Sequence, residues 1–205
     1  MNSSVPSGGR TFLEAIRKPG PFVTVELRPP RTGLSYQDSM DVWIDMYHSI
    51  QRLVRKGRTV FLTDNAVGTL EEENLAHLTS NLPDGVSASQ LVPFLTCKHT
   101  LDYCMLYASR AESKGFEALT VLGGDKFAGP PRCLPHAYLL RDQIRQKMPG
   151  LSLGGWLNPH RPPEEQLGFI ESPSFTADFV LTQVVSHHSV QAVAETLEQA
   201  DKRGI

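Results

Sequence analysis

Six times along this chain a short apolar run gives way to an amphipathic helical pattern, and that alternation constrains the fold more than any other feature. PFVTVEL (21–27) opens the series as a strand closed by Pro29-Pro30. The helix after it, SYQDSMDVWIDMYHSIQRLVRKG, carries Met40, Trp43, Ile44, Tyr47, Ile50 and Val54 at three- and four-residue steps and stops at Gly57. TVFLT (59–63) pairs with the helix LEEENLAHLTSNL, and SASQLVPFLT (87–96), in spite of Pro93, with TLDYCMLYASRAESKG. EALTVL (117–122) precedes LPHAYLLRDQIRQKM, LSLGGWL (151–157) precedes PPEEQLGFIES, and ADFVLTQ (177–183) precedes SVQAVAETLEQADKRG. Strands joined through helices run parallel, because each helix carries the chain back to the same end of the sheet.

Two architectures answer to that rhythm: a doubly wound open sheet and a closed (β/α)8 barrel. Dividing 205 residues by six gives about 34 per unit, and eight such units need about 270, close to the roughly 250 of a barrel. Length alone favours the open sheet. The strand ends favour the barrel, since they read Glu26, Thr63, Thr96, Asp125, Asn158 with His160, and Thr182 with Gln183. Polar groups therefore gather at the carboxyl end of every strand, whereas an open sheet concentrates its site at one switch point. No strand is followed by G-x-G-x-x-G or a phosphate-loop signature.

Composition excludes several partners. A net charge of -2 gives no basic surface for nucleic acid or anionic lipid. No apolar run approaches the roughly 20 residues that span a bilayer, and MNSSVPSGGR is too polar for a signal peptide. The three cysteines, Cys97, Cys104 and Cys133, show no disulfide-framework spacing, which points to a reducing cytoplasm. Cys97, His99 and Cys104 lack the spacing of a structural zinc site, and Cys104 falls on the apolar face of its helix. The acids at 71–73 read as ordinary first-turn helix acids and His187-His188 as a solvated helix start. Residues 1–19 are expected to form a disordered or loosely attached segment ahead of one domain, 20–205.

VELRPPR (25–31), FLTCKHT (94–100), VLGGD (121–125), WLNPH (156–160) and VLTQ (180–183) resemble, in order and spacing, the motifs of the methylenetetrahydrofolate reductase family. The resemblance runs from about residue 20 to Ile205 and covers six of the family's eight βα units. It implies a TIM-barrel-like (β/α) array of parallel strands with the last two βα units absent. It also implies reduction of 5,10-methylenetetrahydrofolate to 5-methyltetrahydrofolate, with FAD as hydride relay and NAD(P)H as electron donor.

Residue by residue, Glu26 matches the acid that protonates the folate nitrogen so that the methylene bridge can open to an iminium. A carboxyl at the top of an apolar strand is partly desolvated, which raises its pKa toward the range of a general acid; a salt bridge with Arg28 or Arg31 is the other reading. Asp125 matches an aspartate near the flavin and the pterin, with Gly123 and Gly124 letting a flat ring approach the backbone; alternatively it caps a plain turn. Gln183 matches a folate-holding glutamine, whose amide both donates and accepts. Thr63, Thr96 and Gly124 match positions beside the flavin, and Trp156 and His160 match the loop along its phosphate-bearing tail, although Trp156 fits a core position equally well.

The chain also departs from the family. Phe94 stands where the family has histidine, Gly123 where it has arginine, and SPSFTAD (172–178) where it has a lysine-rich approach to the sixth strand. That removes a cation from the flavin phosphates, with Arg161 as the one substitute in position. Two absent units would leave the first and sixth strands as open edges, which calls for a homo-oligomer or a partner subunit. A catalytically reduced folate-binding or assembly subunit is thus the alternative to an enzyme.

Overall fold

The computed structural model of the chain describes residues 11–64, 71–82, 85–127 and 129–205. Six strands form one parallel sheet in the order β1-β2-β3-β4-β5-β6: Thr24–Leu27, Thr59–Leu62, Leu91–Thr96, Ala118–Leu122, Ser152–Leu157 and Phe179–Thr182. Sequence order equals spatial order, so every crossover steps to the next strand and the sheet curls as a partial TIM barrel. The helices that return the chain are α2 (Tyr36–Arg55), α3 (Asn74–Ser80), α4 (Leu101–Ser113), α5 (Ala137–Lys147), α6 (Pro163–Glu171) and α7 (Val190–Arg203), after an N-terminal α1 (Thr11–Arg17).

Alternation along the strands divides the core in two. Val60, Leu62, Leu91, Leu95, Leu119, Val121 and Leu153 point outward and pack under the helices with Trp43, Ile50, Tyr107, Leu140 and Ile144. Phe61, Val92, Phe94, Ala118 and Leu122 point inward and fill the barrel's interior. Register carries the inward face around the sheet: Glu26 aligns with Phe61, Thr120 with Gly154, Gly154 with Phe179, and Trp156 with Leu181. Gly154 is the required residue there, because a Cβ on it would lie 2.6 Å from the Phe179 ring.

The N-terminal segment departs from expectation. Residues 1–10 lie outside the described residues, but Thr11–Arg17, read as part of a loose leader, forms α1 and docks into the barrel. Phe12 and Leu13 are 3% and 5% exposed. The Phe12 ring meets Phe61 of β2 at 5.8 Å and Phe179 of β6 at 4.9 Å, both edge-on, and Phe22 at 6.1 Å. Six strands leave the interior short of side chains, and α1 supplies two of the missing ones.

Two further boundaries differ. The strand expected from Ser87 begins at Leu91, because Ser87 and Gln90 form a reciprocal cap that winds Ala88–Gln90 into a 3-10 turn. The helix expected from Leu70 begins at Asn74, with the Glu73 carboxylate accepting from the Ala76 N–H as its cap. Glu71 and Glu72 are therefore outside the helix, and their charges serve other ends. Among the described residues no helix is long and apolar enough to cross a membrane.

Candidate functional site

Glu26 stands on the inward face of β1, one residue short of the strand's carboxyl end, with the residue exposed and its carboxyl half-buried. Burial of its carboxyl against the protein raises the pKa above the ordinary 4.5, with Arg28 opposing the shift and Glu71 adding to it. Arg28 is not a partner for Glu26. Its Nε and Nη2 both donate to Glu71 Oε1, at 3.0 and 2.8 Å. Glu71 is the hub of this corner, since its other oxygen accepts from Thr63 Oγ1 at 2.9 Å. Among the described residues no hydrogen bond or ion pair holds Glu26, so the salt-bridge reading of that residue does not hold.

The neighbouring corner is built on Asp64. Its Oδ2 accepts from the Thr96 N–H at 2.7 Å and from Thr96 Oγ1 at 3.1 Å, and Oδ1 lies 2.8 Å from His99 Nε2. The carboxylate continues the hydrogen bonding where β2 has ended and fixes the imidazole one residue ahead of Thr100, the cap of α4. His99 packs against Tyr103, whose hydroxyl donates to Glu73 at 3.3 Å. Sequence reasoning missed Asp64 and Glu71. The only signal available was an acid directly after a barrel strand, and acids at 71–73 that a short helix could not all use.

After β4 the chain turns through Gly123 and Gly124, the latter at φ +72°. Asp125 Oδ1 accepts from the Phe127 N–H at 2.8 Å, so the turn-capping geometry is present, and its other oxygen has no partner among the described residues. The space over the two glycines is taken. A Cβ on Gly124 would lie 2.7 Å from the Lys98 stem, and one on Gly123 would lie 2.9 Å from the Arg132 guanidinium. Lys98 Nζ donates to the Pro130 carbonyl at 2.8 Å, and Arg132 Nη2 to the Gly124 carbonyl. The loop after β4 is thus strapped by its own cations.

Trp156 is the one exposed residue of β5, on the inward face at the mouth, and not in the core. Its Nε1–H donates to Gln183 Oε1 at 3.1 Å, just past β6. An indole has only a donor to offer, so this bond turns the Gln183 amide with its NH2 group outward. His160 is exposed, with Nε2 lying 3.1 Å from the Val184 carbonyl, while its own N–H donates to Asn158 Oδ1.

The strand ends therefore present a carboxyl of raised pKa at Glu26, an acceptor at Asp125, an amide donor at Gln183 and an aromatic face at Trp156. Those groups suit a flat ligand with both donor and acceptor edges. Thr63 and Thr96, expected beside a flavin, are instead 3% and 0% exposed, with their hydroxyls spent on Glu71 and Asp64.

The cysteines lie together behind this rim on the helical side. The Cys133 N–H donates to the Cys97 carbonyl at 2.7 Å, and Cys97 and Cys104 are fully buried. Burial lifts the Cys97 thiol to about 12, which makes it a packing group and not a nucleophile.

No protein-family model matches the chain, and no curated protein matches it in sequence. Solved structures do. A protein from Clostridium thermocellum that binds two copies of 5-methyl-5,6,7,8-tetrahydrofolic acid superposes with a TM-score of 0.69 at 15% identity over 94% of this chain. The match spans 65% of that protein, so the chain corresponds to just under two thirds of its length. The aldolase QR15 matches with a TM-score of 0.53 at 11% identity, covering 86% of this chain and 76% of that one. A dihydrodipicolinate synthase family protein from Coccidioides immitis matches at 0.51 and 14%, covering 86% and 57%. At such identities the likeness establishes the fold. The chain is a six-unit TIM-barrel-like array.

Proposed function

We propose that the barrel mouth binds a reduced folate, and that it is arranged for reduction of 5,10-methylenetetrahydrofolate to 5-methyltetrahydrofolate. The observation that carries this reading is Glu26: a carboxyl facing the mouth with no partner among the described residues, its pKa raised above that of a free glutamate by partial burial. Protonated, it donates to the folate nitrogen, the bond from that nitrogen to the methylene carbon breaks, and an iminium remains to accept hydride from a nicotinamide-type donor. Asp125 accepts from the pterin amino groups and Gln183 donates to a pterin acceptor. Support for the ligand class comes from the folate-binding neighbour, which shares the fold over most of this chain.

The test is conversion of 5,10-methylenetetrahydrofolate by the purified chain with NAD(P)H, compared with Glu26→Gln. The reading expects turnover that Glu26→Gln removes while folate binding persists. Turnover that survives the substitution would remove Glu26 from its role. Binding without turnover in the wild type would select the second reading, a folate-binding subunit that needs a partner chain, which the sealed Thr63 and Thr96 hydroxyls favour.

A further inference from the structure

A flavin site along the β2–β4 rim needs bare glycines and open hydroxyls, and among the described residues Gly123, Gly124, Thr63 and Thr96 offer neither. Lys98 lies over Gly124, where its stem is 2.7 Å from the place of a Cβ, and the Arg132 guanidinium lies over Gly123 at 2.9 Å from the same place. Both cations are held there by loop carbonyls. Thr63 and Thr96 are sealed beneath Glu71 and Asp64. The glycines are thus accounted for without a cofactor, because they make room for two side chains of the same protein.

On the opposite side of the mouth the situation is reversed. Trp156 is 38% exposed, and its inward-facing register places it above Gly154 and Phe179. The Gln183 oxygen anchors its indole N–H, which fixes the ring and leaves the amide NH2 beside it as a donor. An aromatic face oriented by a hydrogen bond, next to an amide donor, is a stacking platform for a flat heterocycle with an acceptor on its edge.

We infer that the mouth is a flavin-free site in which Trp156 is the flat partner of the ligand, stacking on the planar pyrimidinone of a pterin while Gln183 donates to its edge. This inference rests on the folate reading above and adds to it what lies against the ring. Hydride, where it is used, then comes from a donor that visits the mouth and leaves.

Tryptophan emission and equilibrium dialysis with 5-methyltetrahydrofolate, together with desalting after excess FAD, test this on the full chain. Trp43 packs against the His77 ring at 4.0 Å in the helical layer and serves as an internal emission reference. The expected result is folate-dependent quenching that is absent in Trp156→Leu, whose dissociation constant rises about tenfold or more. Trp156→Phe keeps a ring and should recover most of the affinity, which separates lost stacking from misfolding. No flavin absorption should survive desalting. A retained and perturbed flavin band would overturn the inference. So would folate binding by Trp156→Leu equal to wild type, which would leave the folate reading standing. Failure of the wild type to bind folate at all would overturn the folate reading, and the inference with it.

Discussion

Burial keeps Glu26 protonated to higher pH than a free glutamate, with Arg28 pulling the other way and Glu71 reinforcing the shift. A native pKa above the unfolded one means that the folded chain holds the extra proton. Its stability contribution is complete below the ordinary value of 4.5 and is lost as pH rises through the raised native value. Glu26→Gln should therefore leave stability unchanged at acid pH and raise the melting temperature slightly at neutral pH, measured by thermal denaturation at both. A loss of stability at neutral pH would show that the ionised carboxylate is held by partners after all. Glu71 acts through its hydrogen bonds. It accepts two from Arg28 and one from Thr63, so Glu71→Ala should cost about 1–3 kcal/mol in urea denaturation. A change within error would mean that water replaces the carboxylate there at no cost.

Among the elements, α1 shows most clearly what patterning can and cannot reveal. The apolar positions Phe12, Leu13 and Ile16 were the available signal, but seven residues make too short a window for helical period to stand out against a polar leader. Nothing local shows that the interior of a six-strand barrel has room for two more side chains. The strands and long helices were legible because each repeats its period over several turns or alternations, as in α2 with Trp43, Ile50 and Val54 on its buried face. The strand-end positions Glu26, Asp125 and Gln183 were legible as rim positions because parallel strands bring their carboxyl ends to one place, whereas Trp156 entered only through the family resemblance, with a core position equally open. Asp64 and Glu71 were not, since their roles depend on the path of the segment between β2 and α3. Lys98 and Arg132 were not, because contacts over a glycine leave no mark in the spacing. Phe12→Ala should destabilise the chain by about 3–5 kcal/mol, the range for truncating a buried aromatic, as read by chemical denaturation. A cost below about 1 kcal/mol would show that α1 rests on the barrel without filling it.

At the scale of the whole molecule, two features set the behaviour: a mouth built from six strand ends and two strands with an unpaired side. Among the described residues β1 and β6 each pair with one strand, and Val184 and Val190 beside β6 are 83% and 60% exposed. Parallel edges of this kind pair with further chain. Sedimentation equilibrium at micromolar concentration should therefore give a mass above the 22.7 kDa of one chain. A monomer would show that α1 and the rim loops suffice to close the fold. The most direct test of the account is calorimetric titration of 5-methyltetrahydrofolate into the wild type, Asp125→Ala and Gln183→Ala. The wild type should bind saturably, with binding weakened by about 1.5–3 kcal/mol without the carboxylate and about 0.5–1.5 kcal/mol without the amide. Saturable binding that ignores both substitutions would place the ligand elsewhere, and the absence of binding heat and of dialysis retention would contradict the folate reading of this barrel altogether.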